Sequence, residues 1–402
     1  MTDAAFPAIR QAVVLAGGTG MRLRPFTDDQ PKPMYPFEGK PFLQYLLEQV
    51  RSFGIEEVVL LLGYLPEKIM DAFGDGTRFG VHIRYEVTPV EYETGARLRA
   101  ALGCLSDAFL LLYCDNYCPV DYQRLVKTFF RSGASLCLSA YANRDGYTRS
   151  NLLAAPDGRV LVYDKQRQTP GLSGVDIGYA LVRREAVERM PAQSGNFEAL
   201  VYPALAREGK LYAAFTEHRY YSIGSWERIA LARAFFSPRK FAFLDRDGTL
   251  NERAPRAQYI TTPEAFIWLP GARQAVRKLK EAGYTVLLFT NQPGVARGAM
   301  TEADLAAVHE KMRRELQQAG ADIDGIYCCT HGWDEDCPCR KPKPGLLYQA
   351  QRDWSFDLTR AVVFGDDARD EAAAHAAGCR FEGVSPQRPL LRAVEDYLEG
   401  KA

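Results

Sequence analysis

The sequence predicts an α/β protein with two doubly wound domains, and three observations support this prediction. The chain has 402 residues, and because domains typically have about 100–200 residues, two or three domains are expected. Apolar strand-like runs alternate with amphipathic helix-like runs in both halves, as in mostly parallel sheets. Each half also has an apolar strand leading into a reactive loop, LAGGTGMRLRP from Leu15 and FLDRDGTL from Phe243. Since open α/β sheets bind ligands at such strand ends, we expect one active site in each half.

The first half begins with the runs AVVLAGG, PFLQYLLEQVRSFG and EEVVLLLGY, which predict a strand, a helix and a second strand. Pro41 suits the first turn of that helix, and Gly54 suits its end. A helix over Ile229–Phe236 precedes the short polar segment SPRK, so we place the domains at residues 1–238 and 239–402. Further strands are expected at Ala108–Cys114, Ala134–Ala140 and Val175–Val182.

The second half repeats the alternation of strands and helices. Thr301 and Asp304 have the spacing of a capping box, and apolar residues then recur at helical spacing as far as Gly320. These features predict a long helix between the second and third strands. The expected strands are Phe241–Leu244, Thr285–Thr290, Gly325–Cys329 and Ala361–Gly365.

The composition excludes several classes of partner. Lysine plus arginine equals aspartate plus glutamate at 50 each, so no overall field favours nucleic acid or an anionic membrane. No charged segment precedes a long apolar run near the N-terminus, and no apolar run reaches the about 20 residues of a membrane span. Four of the nine cysteines lie between Cys328 and Cys339, a spacing that favours metal binding over disulfides. We expect a cytoplasmic protein that binds neither nucleic acid nor membrane. The sequence leaves open whether the protein forms a homo-oligomer.

Paired carboxylates in the second half indicate phosphate-ester chemistry. Asp245 and Asp247 follow an apolar strand, and residues two apart there can face one bound phosphate. Carboxylate attack on phosphorus needs a cation, and Asp366 follows another apolar strand as a further carboxylate. Groups that can hold a phosphate stand at Thr290, Asn291, Arg340 and Lys341. These groups form four elements along the chain: the paired aspartates, Thr290-Asn291, Arg340-Lys341 and Asp366. In that order they resemble the haloacid dehalogenase superfamily of phosphatases, over about residues 240 to 384.

The resemblance implies a role for each matching catalytic residue. Asp245 would attack phosphorus to form an aspartyl-phosphate. Asp247 would protonate the leaving oxygen and then activate the water that hydrolyses the intermediate. Thr290 would hold the phosphoryl group, and Lys341 would offset its charge. The competing interpretation of DRDG is a calcium loop or an ordinary acidic turn.

The same resemblance implies the binding residues and the cofactor. Asn291 and Arg340 would contact the substrate. Mg²⁺ would be held by Asp245, Asp366 and the main-chain carbonyl of Asp247. A capless fold is implied for this half, with an open sheet of the Rossmann type.

A second metal is predicted from one C-x-H pair and one C-x-C pair. Three thiolates and one imidazole form a common tetrahedral zinc set, and with four protein ligands the zinc would be structural. It would brace the loop that ends at Arg340 and Lys341. The alternative is a group of free thiols beside a surface histidine, and Cys328 is expected to point into the core. The proposed ligands are Cys329, His331, Cys337 and Cys339.

Two substrate classes fit this half. The cysteine loop that runs into CRKPKPG and the segment NQPGVARG are similar to a capless branch of the superfamily. That branch contains D-glycero-D-manno-heptose 1,7-bisphosphate 7-phosphatases and histidinol-phosphate phosphatases. The two substrates share a terminal phosphate monoester, so the second half alone separates them weakly.

The glycine-rich loop of the first half predicts a triphosphate site. Gly17 and Gly18 follow a strand, where main-chain amides can approach phosphates. Arg22, and the later segments Lys32-Pro-Met and Gly39-Lys-Pro, have the spacing of sugar-1-phosphate nucleotidyltransferases. The resemblance to that family extends from Ala12 to Phe236, and it implies a mixed, Rossmann-like sheet for the first half.

The nucleotidyltransferase resemblance assigns further residues by position. Arg22 and Lys32 would bind the triphosphate, and Asp115 would hold Mg²⁺. Lys165 would bind the sugar phosphate. The remaining positions are Thr94 and Gly95 at the nucleotide base, and Asp176 and Glu198 at the sugar hydroxyls.

Three positions depart from the pattern of that family. Met21 stands where threonine is usual, and Asp176 stands where asparagine is usual. Ser222 stands where the family has its second metal-binding aspartate. Because hard cations prefer charged oxygen ligands, this last change weakens the expected Mg²⁺ site.

The two halves together favour one interpretation of the whole chain. Removing the 7-phosphate from a heptose 1,7-bisphosphate leaves a heptose 1-phosphate, which is a substrate for a sugar-1-phosphate nucleotidyltransferase. We therefore expect a bifunctional enzyme of nucleotide-activated heptose synthesis, with a nucleoside triphosphate as the donor. GTP is favoured, because the first half most resembles heptose-1-phosphate or mannose-1-phosphate guanylyltransferases. One alternative is a phosphatase whose first half only binds a sugar nucleotide. The other is a phosphatase of the histidinol-phosphate type.

Overall fold

The computed structural model describes residues 6–190, 195–255 and 257–401. This part of the chain divides between Arg233 and Ala234 into two compact units. The division falls in the last turn of a helix that spans Trp226–Phe236. The expected boundary between residues 238 and 239 lies just beyond this helix and stays a prediction.

The first unit has a mixed sheet with small additional strand pairs. Its strands are β1 (Gln11–Ala16), β2 (Pro36–Phe37), β3 (Lys40–Pro41), β4 (Glu57–Leu62), β5 (His82–Val87), β6 (Ala108–Tyr113), β7 (Asn116–Tyr117), β8 (Leu136–Tyr141), β9 (Leu152–Ala154), β10 (Val160–Tyr163), β11 (Val175–Arg183), β12 (Leu211–Thr216) and β13 (Tyr221–Ser222). Its helices are α1 (Phe42–Ser52), α2 (Pro66–Phe73), α3 (Thr94–Ala100), α4 (Tyr122–Ser132), α5 (Arg184–Glu188), α6 (Phe197–Arg207) and α7 (Trp226–Phe236).

The main sheet of the first unit, within the described residues, has seven strands in the order β12-β8-β11-β6-β1-β4-β5. All neighbours are parallel except β11, which runs antiparallel to β6 and β8. β1 lies between β4 and β6 and is buried along its whole length, as expected for an apolar central strand. Val13 and Leu15 of β1 pack in one core cluster with Leu98 of α3 and Phe197 of α6. The glycine-rich loop therefore starts from the middle of a rigid sheet.

The second unit has five parallel strands in the order β16-β15-β14-β17-β18, counted over its described residues. They are β14 (Lys240–Leu244), β15 (Tyr284–Asn291), β16 (Gly325–Cys329), β17 (Val362–Gly365) and β18 (Arg380–Gly383). The helices are α8 (Ala272–Glu281), α9 (Glu302–Gln318), α10 (Gly345–Trp354), α11 (Ala368–Ala377) and α12 (Leu390–Leu398).

The central strand β14 shows why this unit is doubly wound. Ala242 and Leu244 face a core cluster that includes residues of α8, α9 and α12. Phe241 and Phe243 face a second cluster with residues of α10 and α11. Because β14 pairs in parallel with both β15 and β17, the loops after these three strands emerge at one edge of the sheet. This is the edge where open α/β sheets bind ligands.

The predicted α/β architecture is confirmed, and most element bounds differ from the predictions by one or two residues. The strand predicted at Gly325–Cys329 has those bounds. The capping box is present at the start of α9, where Thr301 and Asp304 bond each other's backbone N–H. The predicted strand at the end of the chain begins at Val362 rather than Ala361, since Arg360 and Ala361 close a short helical turn. In the described ranges, no helix has both the length and the apolar character that crossing a bilayer requires.

Candidate active sites

A buried lysine lies between two carboxylates at the carboxyl end of β14. The Nζ atom of Lys341 is 2.7 Å from Oδ1 of Asp245 and 2.6 Å from Oδ1 of Asp370. It also donates a hydrogen bond to the carbonyl of Phe289 at 3.1 Å. Burial lowers the pKa of Lys341, but the two carboxylates outweigh it and hold the pKa above its ordinary value. The lysine is therefore a charged group held against the residue predicted as the nucleophile.

Three carboxylates at this strand end can share one cation. Ligand oxygens of Asp245, Asp366 and Asp370 lie within 4.8 Å of one another. Oδ1 of Asp366 is buried and has no hydrogen-bond partner, while Oδ2 is 2.9 Å from an Arg253 nitrogen. An orphaned buried carboxylate oxygen is costly, and a hard cation such as Mg²⁺ would satisfy it. These oxygens fit the predicted Mg²⁺, which the sequence placed on Asp245, Asp366 and Asp247.

Burial and neighbouring charges shift the pKa values of two of these carboxylates, Asp245 and Asp366. Burial raises the pKa of Asp245; the Lys341 charge lowers it and the Asp370 charge raises it, and the net shift is upward. Burial also raises the pKa of Asp366. A cation would favour the ionised form of both residues, since an opposite charge within a few ångströms stabilises a carboxylate.

Asp370 was not among the residues predicted from the sequence. It lies in the first turn of α11, where Asp367 is the N-cap and the two residues form a capping box. In a sequence, an acid at that position is typical of a helix start. The signal that could have identified it is the spacing GDDARD, which puts a third carboxylate one turn after the strand end.

The second aspartate of the DRD motif is held by three donors. Arg246 nitrogen NH2 lies 3.0 Å from each carboxylate oxygen of Asp247, and the Gln292 amide donates to Oδ2 at 2.7 Å. Asn251 donates to Oδ1 at 3.0 Å. Burial raises the pKa of Asp247, but Arg246 and the two amides bring it below its ordinary value. The main-chain carbonyl of Asp247, which the resemblance assigns to Mg²⁺, is 3.4 Å from Nε of Arg253.

The remaining predicted phosphatase residues lie around one cavity of about 670 Å³. Thr290 accepts a hydrogen bond from Gln292 at 2.9 Å. Asn291 is bonded twice to the main chain of Lys341, at 3.2 Å and 3.1 Å, so it also holds the loop that carries the lysine. Arg340 donates to the carbonyl of His331 at 3.3 Å. Every predicted phosphatase residue except Asp366 lines the cavity, namely Asp245, Asp247, Thr290, Asn291, Arg340 and Lys341.

The predicted zinc ligands converge on one point. Sγ of Cys337 is 3.6 Å from Sγ of Cys329 and 3.4 Å from Sγ of Cys339. Nδ1 of His331 lies 3.3 Å and 3.7 Å from Sγ of Cys339 and Cys329. With Zn–S bonds of about 2.3 Å, a tetrahedral site has sulfur–sulfur edges of about 3.7 Å, so the four atoms fit zinc. Cys328 is outside this group and half-buried.

Most of the residues predicted to bind the triphosphate lie at a cavity of about 280 Å³ in the first unit. Gly17, Gly18 and Thr94 line it together with Lys32 and Asp115. Nζ of Lys32 is 2.7 Å from Oδ2 of Asp115. Burial raises the pKa of Asp115, but Lys32, aided by Arg22, lowers it below its ordinary value. The lysine and the carboxylate thus neutralise each other in this cavity.

Arg22 and Gly95, which were also predicted to bind the nucleotide, do not line this cavity. Arg22 is exposed. Gly95 is buried, and its N–H is bonded to the carbonyl of Gly195 at 3.0 Å. Arg97, which the sequence did not single out, is buried at the cavity wall, where it bonds the carbonyls of Leu62 and Gly17. It ties the glycine-rich loop to the neighbouring strand β4.

The predicted sugar-binding residues form a polar group that adjoins the cavity of the first unit, since Asn196 lines that cavity. Nζ of Lys165 contacts the carboxylate of Glu198 and lies 2.5 Å from the side-chain oxygen of Asn196. Tyr163 donates to Oδ2 of Asp176 at 2.9 Å. Burial, and next the charge of Glu198, raise the pKa of Asp176 to about 7. Since Tyr163 and Asn196 have no motif of their own, the sequence did not predict them.

Ser222 lies beside the strand end that carries Asp115. It pairs with Asn116 across β13 and β7, and the N–H of the following Ile223 bonds the carbonyl of Asp115 at 2.9 Å. The Ser222 hydroxyl accepts from the N–H of Gly224 at 3.1 Å. Among the described residues, the groups of three or more acidic, cysteine or histidine side chains that could share an ion are all in the second unit. The Mg²⁺ site expected at Asp115 stays a prediction, and Met21 is exposed.

Two family models match the chain. A nucleotidyl transferase model matches residues 11–147. A haloacid dehalogenase-like hydrolase model matches residues 177–378, half of the chain. The second match starts within the first unit, although the sheet and the carboxylate site described above begin only at Lys240.

Relatives and solved structures cover each half separately. A D-glycero-beta-D-manno-heptose-1,7-bisphosphate 7-phosphatase of Bordetella bronchiseptica is 44% identical over 140 residues, which is 35% of this chain and 77% of that protein. A crystal structure of a B. bronchiseptica D,D-heptose 1,7-bisphosphate phosphatase with magnesium and phosphate is 37% identical, covering 40% of this chain and 99% of its own, with a TM-score of 0.38.

The fold of the first unit also has a solved counterpart. A Bacillus anthracis protein described as a glucose-1-phosphate thymidylyltransferase covers 56% of this chain and 94% of its own at 18% identity, with a TM-score of 0.50. This likeness shows the fold alone. From the family matches and the 44% identical relative, the chain belongs to the haloacid dehalogenase-like hydrolase family and carries a nucleotidyl transferase domain before its hydrolase domain.

Proposed function

We propose that this chain is a bifunctional enzyme of nucleotide-activated heptose synthesis. Its second domain would remove the 7-phosphate of D-glycero-D-manno-heptose 1,7-bisphosphate, and its first domain would transfer a nucleotidyl group to the heptose 1-phosphate. The observation that carries the proposal is the buried Asp245–Lys341–Asp370 group beside Asp366 at the end of β14. The relative that is 44% identical supports the choice of substrate.

The phosphatase residues divide the chemistry between two aspartates. An oxygen of Asp245 would form a bond to phosphorus as the bond from phosphorus to the sugar oxygen breaks. Asp247 would give its proton to that sugar oxygen, and would then take a proton from the water that attacks the aspartyl-phosphate. Lys341 would remain charged and face the phosphoryl oxygens. Mg²⁺ held by Asp245, Asp366, Asp370 and the carbonyl of Asp247 would supply charge neutralisation.

These steps require Asp247 to be protonated when substrate is bound. Arg246 and the two amides favour the carboxylate form in the free site. A phosphate dianion beside Asp247 would raise its pKa, because like charges disfavour ionisation. Asp247 would therefore take up a proton when substrate binds, and it would then give this proton to the leaving oxygen.

The pairing of the two domains favours heptose bisphosphate over histidinol phosphate. A heptose 1-phosphate has the anomeric phosphate that a sugar-1-phosphate nucleotidyltransferase uses, whereas histidinol has none. The sequence resemblance of the first domain favours GTP as donor. We also propose one structural zinc on the cysteine and histidine group. A cytoplasmic location is proposed with it, because reducing conditions suit thiolate ligands.

A second candidate function keeps only the phosphatase. Ser222 stands where a carboxylate would complete a metal site, and Lys32 already neutralises Asp115 at 2.7 Å. The first domain would then bind a nucleotide or sugar nucleotide without turnover. This candidate differs from the first in one measurable quantity, the formation of nucleotide-heptose.

The experiment that tests both candidates is one incubation of the full-length protein with heptose 1,7-bisphosphate, Mg²⁺ and each nucleoside triphosphate in turn. Inorganic phosphate and nucleotide-heptose are measured by mass spectrometry. Nucleotide-heptose from one triphosphate would support the bifunctional enzyme and name the base. Phosphate without nucleotide-heptose would support the phosphatase with a binding module. In a separate assay with histidinol phosphate and Mg²⁺, hydrolysis faster than that of the heptose bisphosphate would contradict the heptose assignment.

A further inference from the structure

A closed hydrogen-bond network surrounds the carboxylate of Asp247. Besides Asn251, which donates to Oδ1 at 3.0 Å, its members are Arg246, Gln292 and His309, and we call these three residues the Asp247 cage. The Arg246 side chain is fully buried and folds back onto its own neighbour. Its NH2 atom is 3.0 Å from each oxygen of Asp247, and its Nε is 3.2 Å from Oδ1. A guanidinium in this forked geometry restricts rotation of the carboxylate.

The amide of Gln292 has only one orientation that satisfies its partners. Its oxygen accepts from Arg246 at 2.9 Å, and its nitrogen donates to Asp247 at 2.7 Å and to Thr290 at 2.9 Å. A flipped amide would point hydrogens at the guanidinium and an oxygen at the carboxylate. Gln292 therefore links Asp247 to the side chain expected to hold the phosphoryl group.

His309 closes the network from α9. Its Nε2 is 3.3 Å from NH1 of Arg246, and its side chain is buried. Because a guanidinium only donates, Nε2 must accept, and the ring must be neutral with its proton on Nδ1. Burial, and next the Arg246 charge, lower the pKa of His309 to about 4, in agreement with a neutral ring.

We propose that the Asp247 cage holds the carboxylate in the orientation from which it protonates the leaving oxygen. Gln292 and His309 are positioning residues, since they act through Asp247 and Arg246 rather than on the substrate. Neither follows from the DRD motif, because Gln292 follows β15 and His309 lies on a helix. The inference rests on the proposed phosphatase function.

A purely structural role would have different consequences. A buried ion pair such as Arg246–Asp247 contributes little net stability, and removing a partner can unfold a domain without any effect on a particular chemical step. A positioning role affects one step selectively. Protonation matters when the leaving group is a strong base and hardly matters when it is a weak one. Comparing two leaving groups therefore separates the two roles.

The test uses the full-length protein with Mg²⁺ and two substrates, phenyl phosphate and 2,4-dinitrophenyl phosphate. Release of the phenol is measured in single turnovers with enzyme in excess, so that only formation of the aspartyl-phosphate is followed. Gln292→Met should slow phenyl phosphate about 30-fold or more and the dinitrophenyl ester less than about 3-fold. His309→Leu should show the same selectivity with a smaller loss of about 5-fold. Met312→Leu, a volume-conserving change in the buried core on the same helix, is the matched control.

Each result decides the inference. Equal losses on both substrates, or no loss on phenyl phosphate, would overturn the positioning role while leaving the phosphatase intact. If the unsubstituted protein hydrolysed neither ester nor the heptose bisphosphate, the phosphatase function and this inference would fall together. Should His309→Leu fail to fold in a thermal melt, Gln292→Met decides alone, because a methionine of similar size replaces the amide beside the cavity. A lower KM with unchanged turnover on both esters would also contradict positioning.

Discussion

The two candidate sites are built in the same way and differ in their balance of charge. Each lies at strand ends of a twisted sheet, and each places a lysine against an aspartate at 2.7 Å. In the second unit Lys341 bonds two carboxylates, Asp245 and Asp370, and a third carboxylate, Asp366, lies close to both. In the first unit Lys32 faces Asp115, and Ser222 occupies the position where a second carboxylate was expected.

This difference shows that a magnesium site requires an excess of negative charge as well as the expected sequence motif. A hard cation competes with the lysine for carboxylate oxygens, so it binds well only where negative charge exceeds the lysine charge. In the second unit the three carboxylates exceed Lys341 and Arg253 by one negative charge. In the first unit the charges of Lys32 and Asp115 cancel. The comparison predicts tight Mg²⁺ binding in the second unit and weak binding in the first.

The most severe test of the comparison removes the nucleophile. Asp245→Asn should lower phosphate release by at least about 10³-fold, because the amide cannot form the aspartyl-phosphate. Nucleotide binding by the first unit should be unchanged in calorimetry. Retained hydrolysis would remove Asp245 from its proposed role.

A second test uses the cysteine cluster, which belongs to one unit only. Cys337→Ser should destabilise the second unit by about 3 kcal/mol, because structural zinc contributes folding free energy directly. Two calorimetric transitions are expected to separate, with the transition of the first unit unmoved. Elemental analysis should find one zinc per chain in the unsubstituted protein, and its absence from carefully purified protein would refute the cluster.

Asp370→Asn measures the excess of negative charge directly. Losing this carboxylate should weaken Mg²⁺ binding by about 10–100-fold, seen as a shift in the Mg²⁺ dependence of phosphate release. Glu371→Gln, an exposed acid in the same helical turn, is the control for a general loss of charge. Equal effects of the two changes would show that Asp370 is only a helix-capping residue.

Ser222→Asp adds the charge that the first unit lacks. If that unit is limited by its metal, nucleotide-heptose formation should rise by about 10-fold, measured at low Mg²⁺. Ser225→Asp supplies the same charge in the following turn and should have little effect. Robust activity in the unsubstituted protein, unchanged by the substitution, would contradict the binding-module interpretation.

The residues that could be predicted are those that stand next to a strand in the sequence. Asp245, Thr290 and Asp366 follow apolar runs, and parallel strands bring such positions to one edge. The zinc ligands were predictable for a similar reason, since their spacing is local.

The residues that could not be predicted act across the fold. Asp370 has the pattern of a helix cap, and its contact with Lys341 depends on how α11 packs against the sheet. His309 has the pattern of one more residue of an amphipathic helix, and its hydrogen-bond partner, the buried Arg246, lies far from it in the sequence. Arg97 belongs to the same class, because its acceptors are mostly main-chain carbonyls, which have no sequence signature.

The short distance along the chain between Cys339 and Lys341 has a consequence for how the protein would respond to stress. Only Arg340 separates a proposed zinc ligand from the lysine that faces Asp245. We therefore expect loss of the proposed zinc to disturb the position of Lys341 as well as the stability of the second unit. The proposed phosphatase activity would then fall, whereas the first unit, which does not contain this loop, would keep its ligand affinity.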